Sequence, residues 1–169
     1  MILILSFVST LVKGFQFWPP PAKDSWQHRL FLVLFRGFLY PLIALTVLEF
    51  NLLRGNLALI QYGAGALLVL VGFGLAFAIT FNLGWRNAFG EKLGLRTTGW
   101  FSRSRNPIYV VTWIGLIGWG LIANSWMVSV LLAIWGALYV LAPFLEEPWL
   151  EREYGQAYRD YKERTPRFI

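Results

Sequence analysis

Cysteine is absent from the 169-residue chain, and histidine occurs once, at His28. No disulfide framework, thiolate nucleophile or Cys/His metal cluster can be built from that inventory, and no metal site is expected. Acidic residues are scarce, nine Asp+Glu against fifteen Lys+Arg. Charges of both signs make up only 14% of the chain, where a soluble domain carries roughly 25%. With 57% hydrophobic residues and a mean hydropathy of +0.54 as well, most soluble-enzyme readings fall away, and 169 residues leave little room for a separate soluble domain. The net charge of +6 would raise nucleic acid as a partner of a soluble protein. Here the basic residues flank apolar runs, where they set membrane topology instead.

What is present is uncharged sequence in long blocks. From Gly55 to Trp85 there are 31 residues without a charge, enough at about 1.5 Å per residue to cross a ~30 Å hydrocarbon core once. From Asn106 to Leu145 there are 40, about twice the bilayer as one helix, so this block must fold back. Asn124-Ser125 is the only polar break near its middle, which predicts a helical hairpin. Leu30–Leu53 is long enough to span despite Arg36, Pro41 and Glu49. Met1–Val12 is followed by Lys13 and then Pro19-Pro20-Pro21, and no A-x-A-like cleavage site follows.

The expectation is a single all-α domain over 1–169, a polytopic membrane helical bundle with spans at about 30–53, 56–83, 108–123 and 126–145. Residues 1–18 form a short or tilted helix that would be a fifth span, and 146–169 form a tail. Basic residues crowd Gly84–Pro107 (Arg86, Lys92, Arg96, Arg103, Arg105) and the tail (Arg152, Arg159, Lys162, Arg164, Arg167), while the hairpin turn has none. Both clusters therefore belong on the cytoplasmic side, and the compactness of the chain leads to the expectation of a bacterial or archaeal plasma (inner) membrane.

Three constellations carry candidate chemistry, each with a purely structural alternative. Arg103-Ser104-Arg105-Asn106-Pro107-Ile108-Tyr109 opens the hairpin: it is a basic anchor with proline in a first helical turn, or an anion site at a helix start. Glu146-Glu147-Pro148 follows an apolar span directly: it is a solvated helix start, or a pair of partly desolvated carboxylates needing cationic partners, either a bound ligand's ammonium or sulfonium or Arg103 and Arg105 nearby. Leu150, Tyr154, Tyr158 and Tyr161 recur at spacings of 4, 4 and 3: one face of an amphipathic helix lying at the interface or docking back on the bundle, or a lid with hydrogen-bonding tips. Gly72-Phe73-Gly74 lies inside a span, so it is not a dinucleotide turn, and small residues there permit close helix packing.

In order along the chain stand Trp85-Arg86, Gly99-Trp100-Phe101, Ser104-Arg105-Asn106-Pro107-Ile108-Tyr109, a hairpin, Glu146-Glu147-Pro148-Trp149-Leu150-Glu151, Tyr154-Gly155, Tyr158, Tyr161 and Thr165-Pro166-Arg167-Phe168. This order resembles the integral-membrane methyltransferases that include isoprenylcysteine carboxyl methyltransferase and the phospholipid N-methyltransferases. The resemblance covers about 85–169. It implies S-adenosylmethionine as methyl donor, bound at the cytoplasmic membrane face under a capping tail. The acceptor would be lipophilic or membrane-embedded: an isoprenylcysteine-type carboxylate or thiol, or a phospholipid amine. Carried over by position, Arg105, Asn106, Pro107 and Tyr109 match the family's Arg-His-Pro-x-Tyr stretch. Glu146 and Glu147 match its Glu-Glu pair, as cofactor ligands and as catalytic candidates, and Tyr158 and Tyr161 match its C-terminal tyrosines. Gly72 and Gly74 match the Gly-x-Gly of the phospholipid branch. Asn106 departs from the usual histidine: it can donate and accept hydrogen bonds but cannot titrate near neutral pH. Two other readings stand beside this one, an NADPH-dependent enzyme like the membrane sterol reductases and a non-enzymatic helical bundle.

Overall fold

Apolar runs in a bilayer can satisfy their backbone groups only as helices or closed barrels. In the computed structural model, which describes residues 1–12, 15, 17, 20, 25–50, 56–84 and 94–169, every long element is a helix and no strand occurs among the described residues. The order is α1 (Ile2–Leu11), α2 (Trp26–Leu48), α3 (Asn56–Leu83), a 3₁₀ turn (Gly99–Ser102), α4 (Pro107–Ala123), α5 (Trp126–Tyr154) and α6 (Gln156–Arg164). Trp85-Arg86, Glu91 and Lys92, and the Lys13 and Pro19–Pro21 region apart from Pro20, lie outside the described residues.

Helices α2, α3 and α5 are long and apolar enough to cross a membrane. Where four spans were expected, α4 is a shorter apolar helix of 17 residues, about 25 Å long against a ~30 Å core. Helix α1 has 10 residues and reaches about 15 Å, half the core.

Three boundaries differ from the expected ones, and two of them have a local cause. Helix α2 begins at Trp26 rather than Leu30 because Ser25 caps it, its hydroxyl accepting from the His28 amide at 3.2 Å. It stops at Leu48 with Glu49 as C-cap. Helix α5 does not end at the expected exit, Leu145. It runs through Pro143 and Pro148 to Tyr154 and is ended by Gly155 in a left-handed φ of +55°. Glu146 and Glu147 are thus helical residues. The tyrosine stripe is also divided, with Leu150 and Tyr154 on α5 but Tyr158 and Tyr161 on α6.

The chain reverses between α4 and α5 at Asn124-Ser125. Asn124 adopts the left-handed conformation (φ +48°), and the Ser125 hydroxyl accepts from Val128 N at 3.4 Å. Helices α3 and α4 form the most extensive interface, and small residues make it close. A Cβ on Gly72 would lie 2.6 Å from Gly115 Cα, and one on Gly118 2.7 Å from Gly65 O. Gln61 Nε2 donates across the same seam to Leu121 O at 2.9 Å, as expected where lipid supplies no hydrophobic drive for helix association. On the other side, Trp135 of α5 meets Phe35, Phe38 and Trp119 edge-to-face at 5.8, 5.9 and 6.3 Å. Trp119 Nε1 donates to Thr46 Oγ1 at 3.1 Å, so α2, α4 and α5 are fastened together.

Candidate functional site

The antiparallel hairpin brings the start of α4 and the end of α5 to the same end of the bundle. There the segment after α6, Thr165–Ile169, returns as a strap across the start of α4. Arg105 N donates to Pro166 O at 2.9 Å, and Asn106 Nδ2 donates to Arg167 O at 2.9 Å. Ser104 Oγ donates to the same carbonyl at 3.4 Å and accepts from Asn106 N at 3.1 Å. Beyond it, Phe168 packs on Trp113 of α4 with ring centroids 5.3 Å apart.

Under the strap lies a charge cluster. Arg167 grips Glu147 with two hydrogen bonds, Nε to Oε1 and Nη2 to Oε2, each 2.8 Å. Arg105 Nη2 reaches Glu147 Oε1 at 3.2 Å. The Arg105 and Glu147 side chains are only 8% and 7% exposed, and that of Arg167 is 29% exposed. Arg167 also stacks over the Phe144 ring, 3.9 Å from its centroid. Hydrogen bonding to Glu147 raises the Arg167 pKa further above its ordinary value. One carboxylate thus answers two guanidiniums. Arg105 Nε and Nη1 are buried with no hydrogen-bond partner among the described residues, and an unmet buried donor calls for an acceptor, a part a carboxylate can fill.

A second pair lies beside the first. Tyr109 OH donates to Glu146 Oε1 at 2.7 Å, and the Tyr109 ring rests on Tyr139 at 4.6 Å. On α6, Tyr161 and Tyr158 are buried with rings 6.1 Å apart. Tyr161 OH donates to Phe101 O at 2.6 Å. Burial pushes the Tyr161 phenol up to about 12. Burial, and next the Glu147 carboxylate, raise Tyr158 further. Both phenols are therefore protonated donors at neutral pH, not bases.

Of the residues singled out from sequence, Arg105, Glu147, Tyr158 and Tyr161 converge on one end of the bundle, with Glu146 and Tyr109 adjacent. Pro107 is buried as the first residue of α4. Asn106 is the N-cap residue of α4, yet its amide is spent on the strap. Gly72 sits in the α3–α4 seam against Gly115, whereas Gly74 is exposed with nothing within 4 Å of a built Cβ. The residues that sequence reasoning left without a role are Arg167, Phe144 and Tyr139. Arg167 reads in sequence as one more basic tail residue, and the nearest signal was its place in Thr165-Pro166-Arg167-Phe168. Among the described residues no group of three or more His, Asp or Glu is placed to hold a metal ion.

The sequence pattern of the phospholipid methyltransferase family matches residues 60–157, more than half of the chain. The chain is also similar to the nickel-cobalt-cadmium resistance protein NccN of Alcaligenes xylosoxydans xylosoxydans, 35% identical over 75 residues. That similarity covers 44% of this chain and 35% of NccN, so the chain spans about a third of the length of that relative. No solved structure matches.

Proposed function

Because the chain belongs to the phospholipid methyltransferase family, we propose that it transfers a methyl group from S-adenosylmethionine to a membrane-embedded acceptor, with an amine-headed phospholipid as the acceptor the family points to. The observation that carries this reading is Arg105, a buried guanidinium with two unmet donors at the mouth of a membrane hairpin. Those donors fit the carboxylate of the methyl donor, and the basic flanks favour the cytoplasmic side of the plasma membrane for the site.

The donor brings a methyl already activated on its sulfonium, so the chain's own residues have three tasks. Arg105 binds the anionic end. Glu147, with both oxygens engaged by guanidiniums, is a positioning residue that orients Arg105 rather than a base. The strap and the buried tyrosines of α6 exclude water. An ammonium acceptor must lose a proton before it can attack, and Glu146 is the carboxylate for that step, oriented by the Tyr109 hydroxyl. Tyr158 and Tyr161, protonated at neutral pH, stay out of the proton transfer.

Calorimetric titration of S-adenosylhomocysteine into purified, detergent-solubilised protein tests the reading. One-to-one binding is expected, weakened at least tenfold in a folded Arg105→Gln variant, since a charge-assisted hydrogen bond contributes about 1.5–3 kcal/mol. NADPH binding in place of S-adenosylhomocysteine would turn the assignment to a reductase. Binding of neither by well-folded protein, in lipid as in detergent, would leave a non-enzymatic bundle.

A further inference from the structure

Helix α2 presents two unlike sides. Phe35, Phe38 and Thr46 face the bundle, where they meet Trp135 and Trp119, and Leu42 between them is buried. About 100° round the helix from that seam lie Arg29 and Arg36, both exposed, with Val33 and Tyr40 exposed beside them. The two arginines are seven residues apart, almost two full turns, so one stands over the other at a separation of about 10 Å. Neither side chain has a hydrogen bond or ion pair among the described residues.

Depth makes this unusual. In a helix of 23 residues, Arg36 stands about 15 Å beyond Trp26, near the middle of a ~30 Å core. An unpaired cation on a lipid-facing surface at that depth is costly. Side chains of a helix lean toward its N-terminus, so the Arg36 stem snorkels toward Arg29 and the side that the basic flanks favour. The guanidinium still needs an anion on that path. Helices α2, α3 and α4, and α5 as far as Leu145, contain no Asp or Glu. Glu49 lies about 20 Å further along, toward the opposite membrane face. A second copy inserted with the same topology therefore brings no carboxylate to the level of Arg36. The anion that a bilayer does supply there is a lipid phosphate.

We propose that the Arg29–Arg36 side of α2 binds the phosphate of an anionic phospholipid, held off the α4–α5 seam and separate from the methyl acceptor. Arg36 meets the phosphate with its planar fork of donors, and Arg29 closes on it from the headgroup side. Tyr40, one turn deeper on the same side, adds a hydroxyl donor. Two guanidiniums are poorly matched by a phosphate that already carries choline, and better by a lipid with a net negative charge. The bound lipid neutralises the span and fixes how deep α2 sits. This inference stands on α2 alone and does not depend on the methyltransferase reading.

The full chain, delipidated in a non-ionic detergent, would be given equimolar phosphatidylglycerol and phosphatidylcholine with the same acyl chains, and bound lipid counted by native mass spectrometry. One phosphatidylglycerol per chain is expected, retained roughly fivefold or more over phosphatidylcholine. That retention should fall by roughly fivefold or more in Arg36→Gln and by a smaller factor in Arg29→Gln. It should hold in Arg159→Gln, which removes the same charge from the exposed tail. Thermal unfolding is the second readout: phosphatidylglycerol should raise the melting temperature of the wild type over that in phosphatidylcholine, while Arg36→Gln melts alike in both. Unchanged retention in Arg36→Gln, equal retention of the two lipids, or an equal loss in Arg159→Gln would overturn the inference. So would an Arg36→Gln chain that folds in neither lipid, since Arg36 would then have a partner inside the protein. A dimer without bound lipid that Arg36→Gln dissociates would put a second copy on this side of α2 instead.

Discussion

Glu147→Gln keeps the shape of the side chain and deletes its charge, leaving the Arg105 guanidinium without its counter-ion. Arg105 is 8% exposed, so little water can compensate. Breaking a buried pair by removing one partner costs about 3–5 kcal/mol. Arg167→Gln deletes the other partner, but the Arg167 side chain is 29% exposed, and Glu147 keeps Arg105 at 3.2 Å. The loss there is two hydrogen bonds that water partly screens and replaces, together about 1.5–3 kcal/mol. The double replacement Arg105→Met with Glu147→Leu removes both buried charges together, and should cost less than Glu147→Gln alone. The assay is thermal unfolding of each variant in one detergent at one pH, followed by tryptophan fluorescence. At roughly 2–4 °C per kcal/mol for a chain of this size, the ordering is easily resolved. An Arg167→Gln loss equal to or greater than that of Glu147→Gln, or an additive double replacement, would refute the view that Glu147 is chiefly the counter-ion of Arg105.

Four further expectations follow from the same geometry. Tyr161 has its pKa raised to about 12 from an ordinary 10.0, so the folded state holds its proton when the unfolded state has lost it. Its contribution is intact below pH 10 and is lost as the pH rises toward 12, so the melting temperature should fall across that window, and less steeply in Tyr161→Phe. Gly72→Ala should destabilise by roughly 1–3 kcal/mol, because the added Cβ meets the Gly115 backbone. Gly74→Ala meets nothing and should leave folding unharmed, gaining up to about 1 kcal/mol of helix propensity. If Gly74→Ala instead weakens S-adenosylhomocysteine binding in a folded protein, Gly74 belongs to the donor site. Finally, Asn106→His retains a donor for the Arg167 carbonyl and Asn106→Leu does not, so cleavage near the C-terminus by carboxypeptidase should be faster only in Asn106→Leu.

Much of this architecture is legible without coordinates. The 40 uncharged residues from Asn106 to Leu145 are too long for one crossing, so a hairpin was required, and its turn falls at the polar Asn124-Ser125 step. Helicity itself follows from run length, because a bilayer leaves the backbone only helices or closed barrels and a barrel strand needs just about 9–11 residues. The Glu146-Glu147 and Arg105 candidates were visible for a similar reason: charge next to an apolar span needs a partner, whatever the fold. Helix ends were less legible. The end of the uncharged run placed a stop at Leu145, yet α5 continues through Pro143 and Pro148 to Tyr154, since packing and local hydrogen bonds override the propensity of single residues.

What composition and spacing could not supply is which partner each charge takes. For the carboxylate pair the sequence offered Arg103, Arg105 or a ligand's cation alike, and the structure takes Arg105 and adds Arg167. The choice of Arg105 and Arg167 depends on the strap, which returns over the α4 start because Asn106 and Ser104 hold the Arg167 carbonyl. In the same way, Gly72 and Gly74 are alike in sequence, and only the crossing of α3 on α4 buries one and exposes the other. Apolar patterning is a local property and determined the membrane class and the helices. Pairing between residues some twenty to sixty positions apart depends on chain reversal and helix crossing, and tertiary structure alone decided it.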